Sequence, residues 1–267
     1  MRIDKSRGMA SYVTEMYEYR FVLNSLIVKN LVGRYKNSIL GFGWHFVMPI
    51  LLLVLYYTIF TQFRESNFDN FWLYLASGLF SFTFMVTNVV SGSGAVVSNA
   101  GLVKKMYFPR EILVLSQVIS TFFVALIGYL IVVITAMLTQ NVSDPLLLLL
   151  LPVFLFINML FVLGYTLLLS SLTVYCRDVQ HLLSSISIVF YFITPMYFST
   201  ESIGGIMETV VWLNPFTYFV ELFHHLIYFG DCPNLNLVMT VLIITVVMLI
   251  AGFYSFNKLK KGFAERL

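Results

Sequence analysis

The chain has 267 residues, of which 59% are hydrophobic and 11% are charged, and its formal net charge is +3 at pH 7. A water-soluble domain of this size needs neither so many apolar residues nor so few charged ones, so the composition excludes an ordinary soluble protein. We therefore predict an all-α integral membrane protein. The two cysteines, Cys176 and Cys232, are too few for a disulfide framework.

Residues 1–43 form the first predicted unit. Seven Lys and Arg residues alternate there with apolar residues that recur every three or four positions, the pattern of an amphipathic helix. We expect this helix to lie in the cytoplasmic interface of the membrane rather than across it. A helix that packs on a soluble partner is the alternative. The first long apolar run begins only near Phe46, so a cleavable secretory signal is not expected.

Residues 44–267 form the second unit, a transmembrane domain of six spans. Each span is near or above the roughly 20 residues that a helix needs to cross the hydrocarbon, and none contains Lys, Arg, Asp or Glu. We expect Pro152 and Pro195 to kink or shorten their helices, because proline lacks the N–H that a helix interior uses. The predicted spans are Phe46–Phe63, Trp72–Val90, Ile112–Leu138, Leu146–Leu172, Leu182–Phe198 and Leu237–Phe256.

The distribution of positive charge sets the topology. With six spans, 15 of the 16 Lys and Arg residues fall on one side, which is the cytoplasmic side because cytoplasmic loops carry the excess of these residues. Both termini are then cytoplasmic. A seventh span within 203–230 would carry the C-terminal charges outside, so this segment is predicted to enter from the outer face and return to it. Asn214 and Pro215 break it, which predicts two short re-entrant helices.

The chain has no recognisable catalytic chemistry of its own. It lacks a phosphate-binding loop of the GxxxxGKS or GxxxxGKT type, a Ser/His/Asp arrangement on one side of the membrane, and paired intramembrane carboxylates. No catalytic residue is therefore predicted. Energy for uphill transport would have to come from a partner.

Glu208, Glu221 and His224 stand out in the re-entrant segment, because ionisable groups in an apolar stretch usually face a cavity or a partner. Glu221 and His224 have the spacing of a carboxylate and an imidazole one helical turn apart, and His225 follows. Since no second cluster of ligands exists, no metal site is predicted. A polar helix face that touches water or lipid headgroups is the favoured interpretation.

Two cytoplasmic loops have the composition of contact surfaces. Residues 99–111 combine a short helical run with Tyr107, Phe108 and several basic residues. This loop either anchors on the membrane surface or docks as a helix into a cleft of a soluble subunit. In the second loop, Arg177 and Asp178 form either a local ion pair, with Asp178 capping the fifth span, or a coupling contact.

Four short motifs are spread over nearly the whole chain. They are Arg34-Tyr35 with Ser38, Leu40-Gly41-x-x-Trp44 and Pro49; Lys104–Pro109; Arg177-Asp178-Val179; and Trp212-Leu213-Asn214-Pro215-Phe216. In this order they resemble the permease subunit of polysaccharide-exporting ATP-binding-cassette (ABC) transporters. The resemblance implies a homodimer of six-span subunits in the inner membrane, in contact with membrane lipids, and two copies of a separate ATPase that binds ATP and Mg. It implies a lipid-linked O-antigen, capsular or teichoic-acid-type glycan as cargo, no cofactor on this chain and no nucleic-acid partner.

The resemblance also implies roles for particular residues. The ATPase-coupling residues are Lys104, Lys105, Met106, Tyr107, Phe108 and Pro109, with Tyr175, Arg177 and Asp178 as a second contact. A gate helix at about Tyr12–Lys36 includes Arg34 and Tyr35. Re-entrant helices at about Ile203–Trp212 and Pro215–Tyr228 include Glu208, Asn214, Pro215, Glu221 and His224. The sequence departs from the family at His224-His225, where an arginine is expected.

The first and fifth spans flank the transport pathway in that family. Aromatic side chains suit sugars because they can pack on the apolar C–H faces of pyranose rings. A lipid-facing or interfacial position is the alternative for each of them. The pathway candidates are Phe46, Tyr56, Tyr57, Phe60, Phe190, Tyr191, Tyr197 and Phe198.

The sequence thus predicts a transport subunit rather than an enzyme, in an ATP-driven exporter of a lipid-linked polysaccharide. An ABC exporter of a drug or a lipid with the same fold is one alternative. A membrane-embedded glycosyltransferase or acyltransferase is another, but it needs polar catalytic groups gathered at one interface, which the sequence does not provide.

Overall fold

The computed structural model describes residues 18–33, 41–63, 70–138 and 145–267, and all regular structure in these ranges is helical. The α-helices in chain order are α1 (Arg20–Val32), α2 (Trp44–Phe63), α3 (Phe71–Thr87), α4 (Ala100–Lys105), α5 (Glu111–Leu138), α6 (Leu151–Tyr175), α7 (Asp178–Ile193), α8 (Ile206–Leu213), α9 (Pro215–Phe223), α10 (Leu235–Leu259) and α11 (Phe263–Arg266). Helices α3 and α9 continue as π-helical segments, through Asn88–Gly92 and His224–Phe229 respectively.

Four helices in the described ranges are long and apolar enough to cross a membrane, and they coincide with the predicted second, third, fourth and sixth spans. They are Phe71–Gly92, Glu111–Met137, Leu147–Tyr175 and Leu235–Arg266. The predicted first span coincides with α2, which has 20 residues. The predicted fifth coincides with α7, whose 16 residues rise only about 24 Å. The described part of the chain is therefore all-helical and has the long apolar helices of a membrane protein, and the count of six spans stays a prediction.

The two prolines act differently. Pro195 shortens the fifth predicted span, as expected: α7 ends at Ile193, and Thr194 is extended with φ −84° and ψ 131°, because the residue before a proline avoids the helical region. The expectation for Pro152 is wrong. Pro152 is the second residue of α6, after the 3₁₀ segment Pro145–Leu150, and in the first turn of a helix its missing N–H leaves no hydrogen bond unmade.

Helix α3 is the interior helix of the bundle. In its most apolar stretch 83% of the residues are buried, against 17% in α10. Hydrogen bonds join it to two other helices: Asn88 Nδ2 donates to Thr121 Oγ1 of α5 at 2.8 Å, and Asn158 Nδ2 of α6 donates to Ser81 Oγ at 3.2 Å. Such bonds stabilise helix packing in a bilayer, where apolar side chains have little preference for protein over lipid. Helix α3 is thus fixed inside the subunit, while α10 turns most of its surface outward.

Helices α6 and α10 pack backbone to backbone. A Cβ at Gly164 of α6 would lie 2.6 Å from the Met248 carbonyl carbon, and a Cβ at Gly252 of α10 would overlap the Gly164 carbonyl oxygen. Glycine at both positions lets the two main chains approach closely. The C-terminal ends of the helices also meet, because the Tyr175 hydroxyl donates to the Leu259 carbonyl at 3.0 Å.

Helix α1 packs along α5. Leu26 is its buried residue, whereas Phe21 and Val28 are exposed. Lys29 Nζ donates to Asn99 Oδ1 at 2.8 Å, which ties α1 to the segment before α4. The described part of the N-terminal unit is therefore helical and rests on the bundle, and its position in the membrane interface stays a prediction.

Candidate functional site

One end of the bundle gathers basic residues, and we call it the basic end. It comprises residues 100–111, 175–178 and 258–267. Two contacts hold these segments together: Lys260 Nζ lies 2.6 Å from Glu111 Oε1, and the Tyr175 hydroxyl donates to the Leu259 carbonyl. Because both predicted ATPase contacts belong to these segments, the structure brings them to the same end.

Helix α4 lies earlier in the chain than the predicted coupling helix. It ends at Lys105, and Met106 is extended with φ −127° and ψ 140°. Phe108 precedes Pro109 and therefore avoids the helical region; it is buried rather than exposed, and Pro109 is half-buried. The side chains exposed around the end of the helix are Lys104, Lys105, Met106 and Tyr107, the last of which is 89% exposed. The loop therefore presents a basic and aromatic tip that Phe108 anchors.

Tyr175, Arg177 and Asp178 lie at the junction of α6 and α7 and are exposed. The interpretation of Asp178 as a helix cap is wrong: Arg177 has the cap position, without a side-chain hydrogen bond, and Asp178 is the first residue inside α7. A carboxylate there still suits the positive end of the helix dipole. Tyr175 also serves packing, because the Arg266 guanidinium lies 5.6 Å from the centre of its ring.

A cavity of about 640 Å³ lies between α1, the π-helical end of α3, α5 and the start of α7. Hydroxyl and amide side chains form much of its wall, Lys29 adds a cation, and no acidic side chain lines it among the described residues. Its polar lining includes Lys29, Asn30, Ser91, Asn99, Gln117 and Gln180. Gly33 also lines the cavity, and the predicted gate residues that follow it, Arg34 and Tyr35, lie outside the described residues.

At the opposite end, α8 and α9 form a helix pair that we call the hairpin, with the break at Asn214. Asn214 Oδ1 accepts a hydrogen bond from the Phe216 N–H at 3.1 Å, and Nδ2 donates to Thr194 Oγ1 at 2.8 Å. Pro215 is the first residue of α9, where no N–H is needed. Two short helices are thus present where the sequence predicts them, and their entry into the membrane stays a prediction.

The polar groups of the second hairpin helix face the start of α3. His224 is fully buried and its ring stacks on that of Tyr74, with 3.9 Å between the ring centres. Its Nδ1 lies 3.7 Å from Glu221 Oε2, and Glu221 Oε1 accepts a hydrogen bond from Thr200 Oγ1 at 3.0 Å. Gly78 makes room for the imidazole, since a Cβ there would lie 2.6 Å from His224 Nε2. Glu221 and His224 therefore connect the hairpin to the interior of the subunit.

The other ionisable groups of the hairpin are arranged differently. Glu208 is exposed on α8, in contrast to Glu221. His225 Nδ1 lies 2.7 Å from Asp231 Oδ1. Within the part of the chain that the structure describes, no three His, Cys, Asp or Glu side chains form a group that could hold a metal ion.

The aromatic residues predicted for the pathway fall into two groups. At the hairpin end, Tyr56 of α2 stacks on Tyr197 at 5.8 Å, and Tyr197 meets Phe198 edge to face at 5.2 Å. Three other candidates pack on rings that are not in the predicted pathway set: Tyr57 stacks on Phe71, Phe190 packs on Phe216, and Tyr191 packs on Phe82. Phe46 is half-buried, and the side chain of Phe60 lies outside the described part. The structure thus brings Tyr56, Tyr197 and Phe198 together.

Sequence reasoning missed several residues that these sites use. Tyr74, Thr194 and Thr200 are neutral residues whose partners lie far along the chain, and no spacing rule connects them to the hairpin. The sequence predicted a role for Lys260 only as one of the C-terminal positive charges that set the topology. Glu111 and Lys260 are opposite charges next to the ends of two predicted spans that the charge distribution assigns to the same side, and that signal could have indicated a pair.

Comparison with known proteins gives the family. The family model for the ABC-2 type transporter matches residues 22–228. An O-antigen export system permease protein RfbA from Myxococcus xanthus is 28% identical, over 97% of this chain and 100% of the relative. Two proteins of the same name from Klebsiella pneumoniae are 27% and 25% identical, each over 94% of this chain and 98% of the relative. The resemblance inferred from the four motifs is confirmed, and because the family model matches more than half of its length, this chain belongs to the ABC-2 type transporter family.

Proposed function

We propose that this chain is the permease subunit of an ATP-driven exporter that moves a lipid-linked polysaccharide across the inner membrane. The observation that carries the proposal is the match, over nearly the full length of both chains, to relatives named as O-antigen export permeases. The cargo is a glycan of the O-antigen, capsular or teichoic-acid type. The chain hydrolyses no ATP itself; ATP and Mg bind to two copies of a separate ATPase. The polar cavity beside α1 supports a sugar cargo, because hydroxyl and amide groups hydrogen-bond readily to sugars.

The proposed topology has six spans, with both termini in the cytoplasm and the hairpin at the outer face. It is supported by the four long apolar helices and by the absence of Lys and Arg from residue 178 to residue 257. The natural cysteines provide a test, because both are exposed. An impermeant thiol reagent applied from outside is expected to label Cys232 and to spare Cys176. Equal labelling of the two contradicts this topology.

The homodimer is proposed to form through α2 and α7, with the pathway between the two copies. Of the 16 described residues of α7 only Ser187 is buried, so this helix has apolar surface to offer to a second copy. A cysteine in place of the exposed Ile188 of α7 is expected to give disulfide-linked dimers in membranes. Ile243 of α10 is similarly exposed and is the matched control, with no cross-link expected. Cross-linking at Ile243 but not at Ile188 would place the dimer interface on α10 and contradict the proposed interface through α7.

Within the basic end, the ATPase contact is proposed to lie on residues 104–109 and 175–178. The exposed Tyr107 is the sharpest probe, and Tyr254, an exposed tyrosine of α10, is its control. In cells that lack their own copy of the gene, the wild-type chain and Tyr254→Ala are expected to restore surface glycan and to copurify with the ATPase. Tyr107→Ala is expected to do neither.

The same purifications test the division of labour between the subunits. The isolated chain is expected to show no ATPase activity, and the copurified complex is expected to show it. Activity that stays with the chain alone, or surface glycan in cells without the gene, would overturn the proposal.

A further inference from the structure

The last residues of the chain, Lys258–Leu267, form a segment that we call the C-terminal clasp. Its Lys260 Nζ lies 2.6 Å from Glu111 Oε1 at the start of α5, and Glu111 is buried. The Arg110 guanidinium donates a hydrogen bond to the Lys260 carbonyl. The clasp is therefore joined by an ion pair and a charged hydrogen bond to the two residues that directly follow Pro109.

The clasp also contacts the end of α6. Tyr175 donates its hydroxyl hydrogen to the Leu259 carbonyl at 3.0 Å, and the Arg266 guanidinium lies 5.6 Å from the centre of the Tyr175 ring. Gly262 lies against the same side chain, since a Cβ there would overlap the Tyr175 hydroxyl. Tyr175 itself belongs to the second predicted coupling contact, together with Arg177 and Asp178.

An aromatic anchor holds the clasp in place. Phe263 is fully buried, and its ring meets those of Phe256 at 5.4 Å and Tyr175 at 6.4 Å. The Arg110 guanidinium lies 5.7 Å from the centre of the Phe263 ring. The clasp is thus joined to both loops that the proposed function assigns to the ATPase contact.

We propose that the C-terminal clasp makes the two coupling loops move as one body when the ATPase acts on them. This inference rests on the proposed function. Lys260 and Glu111 are positioning residues: neither needs to touch the ATPase, and each fixes the loop beside it relative to the other loop. Without their ion pair, movement of one loop is no longer transmitted fully to the other, so ATP hydrolysis becomes less well coupled to export.

The direct test is the distance between the two loops in the complete complex with the ATPase. Spin labels are placed on the exposed Cys176 and on a Gly101→Cys variant, where an added side chain meets open space, with Cys232→Ser to remove the other thiol. The distance distribution is expected to keep its width when ATP is added. It is expected to broaden in Lys260→Met but not in Lys261→Met, the control, which removes an exposed charge next in sequence.

The functional arm measures glycan export per ATP hydrolysed in the same complexes. Lys260→Met is expected to lower this ratio severalfold, while the amount of bound ATPase stays unchanged. The exchanged pair Lys260→Glu with Glu111→Lys is expected to restore it.

Several results would overturn the proposed role of the clasp. An unchanged distance distribution and an unchanged export per ATP hydrolysed in Lys260→Met would do so. Loss of assembly in both Lys260→Met and the exchanged pair would also do so, because the segment would then serve folding rather than coupling. A wild-type complex that exports no glycan contradicts the proposed function instead, and the distance measurement, which needs no cargo, still decides on the clasp.

Discussion

Replacing Asn214 with alanine removes both hydrogen bonds that define the break in the hairpin. Asn214 Oδ1 caps α9 by accepting from the Phe216 N–H, and Nδ2 donates to Thr194 Oγ1. Asn214 and Thr194 are both buried, so water replaces neither bond. The variant should therefore lose stability at the point where the two helices of the hairpin meet.

The magnitude follows from the two bonds. Loss of an Asn cap costs about 1 kcal/mol, and a buried hydroxyl left without its partner costs about 1–3 kcal/mol. We expect Asn214→Ala to lower the free energy of unfolding by about 2–4 kcal/mol in total. Thr194→Val removes only the second bond, so its cost should be smaller, and the double variant should cost about 1 kcal/mol less than the sum of the two.

Equilibrium unfolding of the purified chain in mixed detergent micelles measures these differences. Asn234 is the matched control, because it occupies the cap position of α10 but is exposed and makes no side-chain cap bond. Asn234→Ala should change stability by less than about 0.5 kcal/mol. Equal effects at Asn214 and Asn234, or strict additivity of Asn214→Ala and Thr194→Val, would refute the assigned bonds.

Two further predictions concern helix contact and the buried carboxylate. Gly252→Ala should destabilise the chain by about 1–3 kcal/mol or more, because the new Cβ meets the main chain of α6. Gly101→Ala, where the new Cβ meets open space, should stabilise α4 by about 0.5–1 kcal/mol. A change of the same sign in both variants in the unfolding assay would contradict the close packing of α6 and α10. Glu221→Gln keeps an acceptor for the Thr200 hydroxyl and should retain more stability and surface glycan than Glu221→Ala. Equal loss in the two variants would show that the stabilisation comes from the charge of Glu221 beside His224 and not from the hydrogen bond with Thr200.

The long helices and the hairpin break could be predicted because their signals are local. A lipid-exposed or interior span excludes charged residues whatever its neighbours are, and such runs are visible in the sequence. An Asn followed by a Pro favours the end of one helix and the start of another for reasons contained in the two residues themselves. Helix α7 begins at Asp178, before the apolar run that begins at Leu182, because its first turn is polar and belongs to the helix without belonging to the apolar run.

The partners inside the hairpin end could not be predicted, because they depend on distant parts of the chain. His224 is buried only because Gly78 leaves space for its ring and Tyr74 stacks on it. Thr194 and Thr200 carry no charge and sit in no motif, yet each supplies a hydrogen bond to the hairpin. The contacts of His224 follow from the packing of the hairpin on α3, and those of Thr194 and Thr200 from the fold of the segment between α7 and α8.

The two ends of the bundle should therefore respond differently to mutation. At the hairpin end the polar side chains are largely buried and share partners, so single changes there act first on stability and combine non-additively. At the basic end the residues proposed for coupling are mostly exposed, so a change such as Tyr107→Ala should leave the fold intact and act on the proposed contact with the ATPase. Glu111 and Lys260 are the exception, because they form a partly buried ion pair at the basic end. The double substitution Lys260→Glu with Glu111→Lys keeps this ion pair with its charges exchanged, so it separates an effect on coupling from an effect on stability.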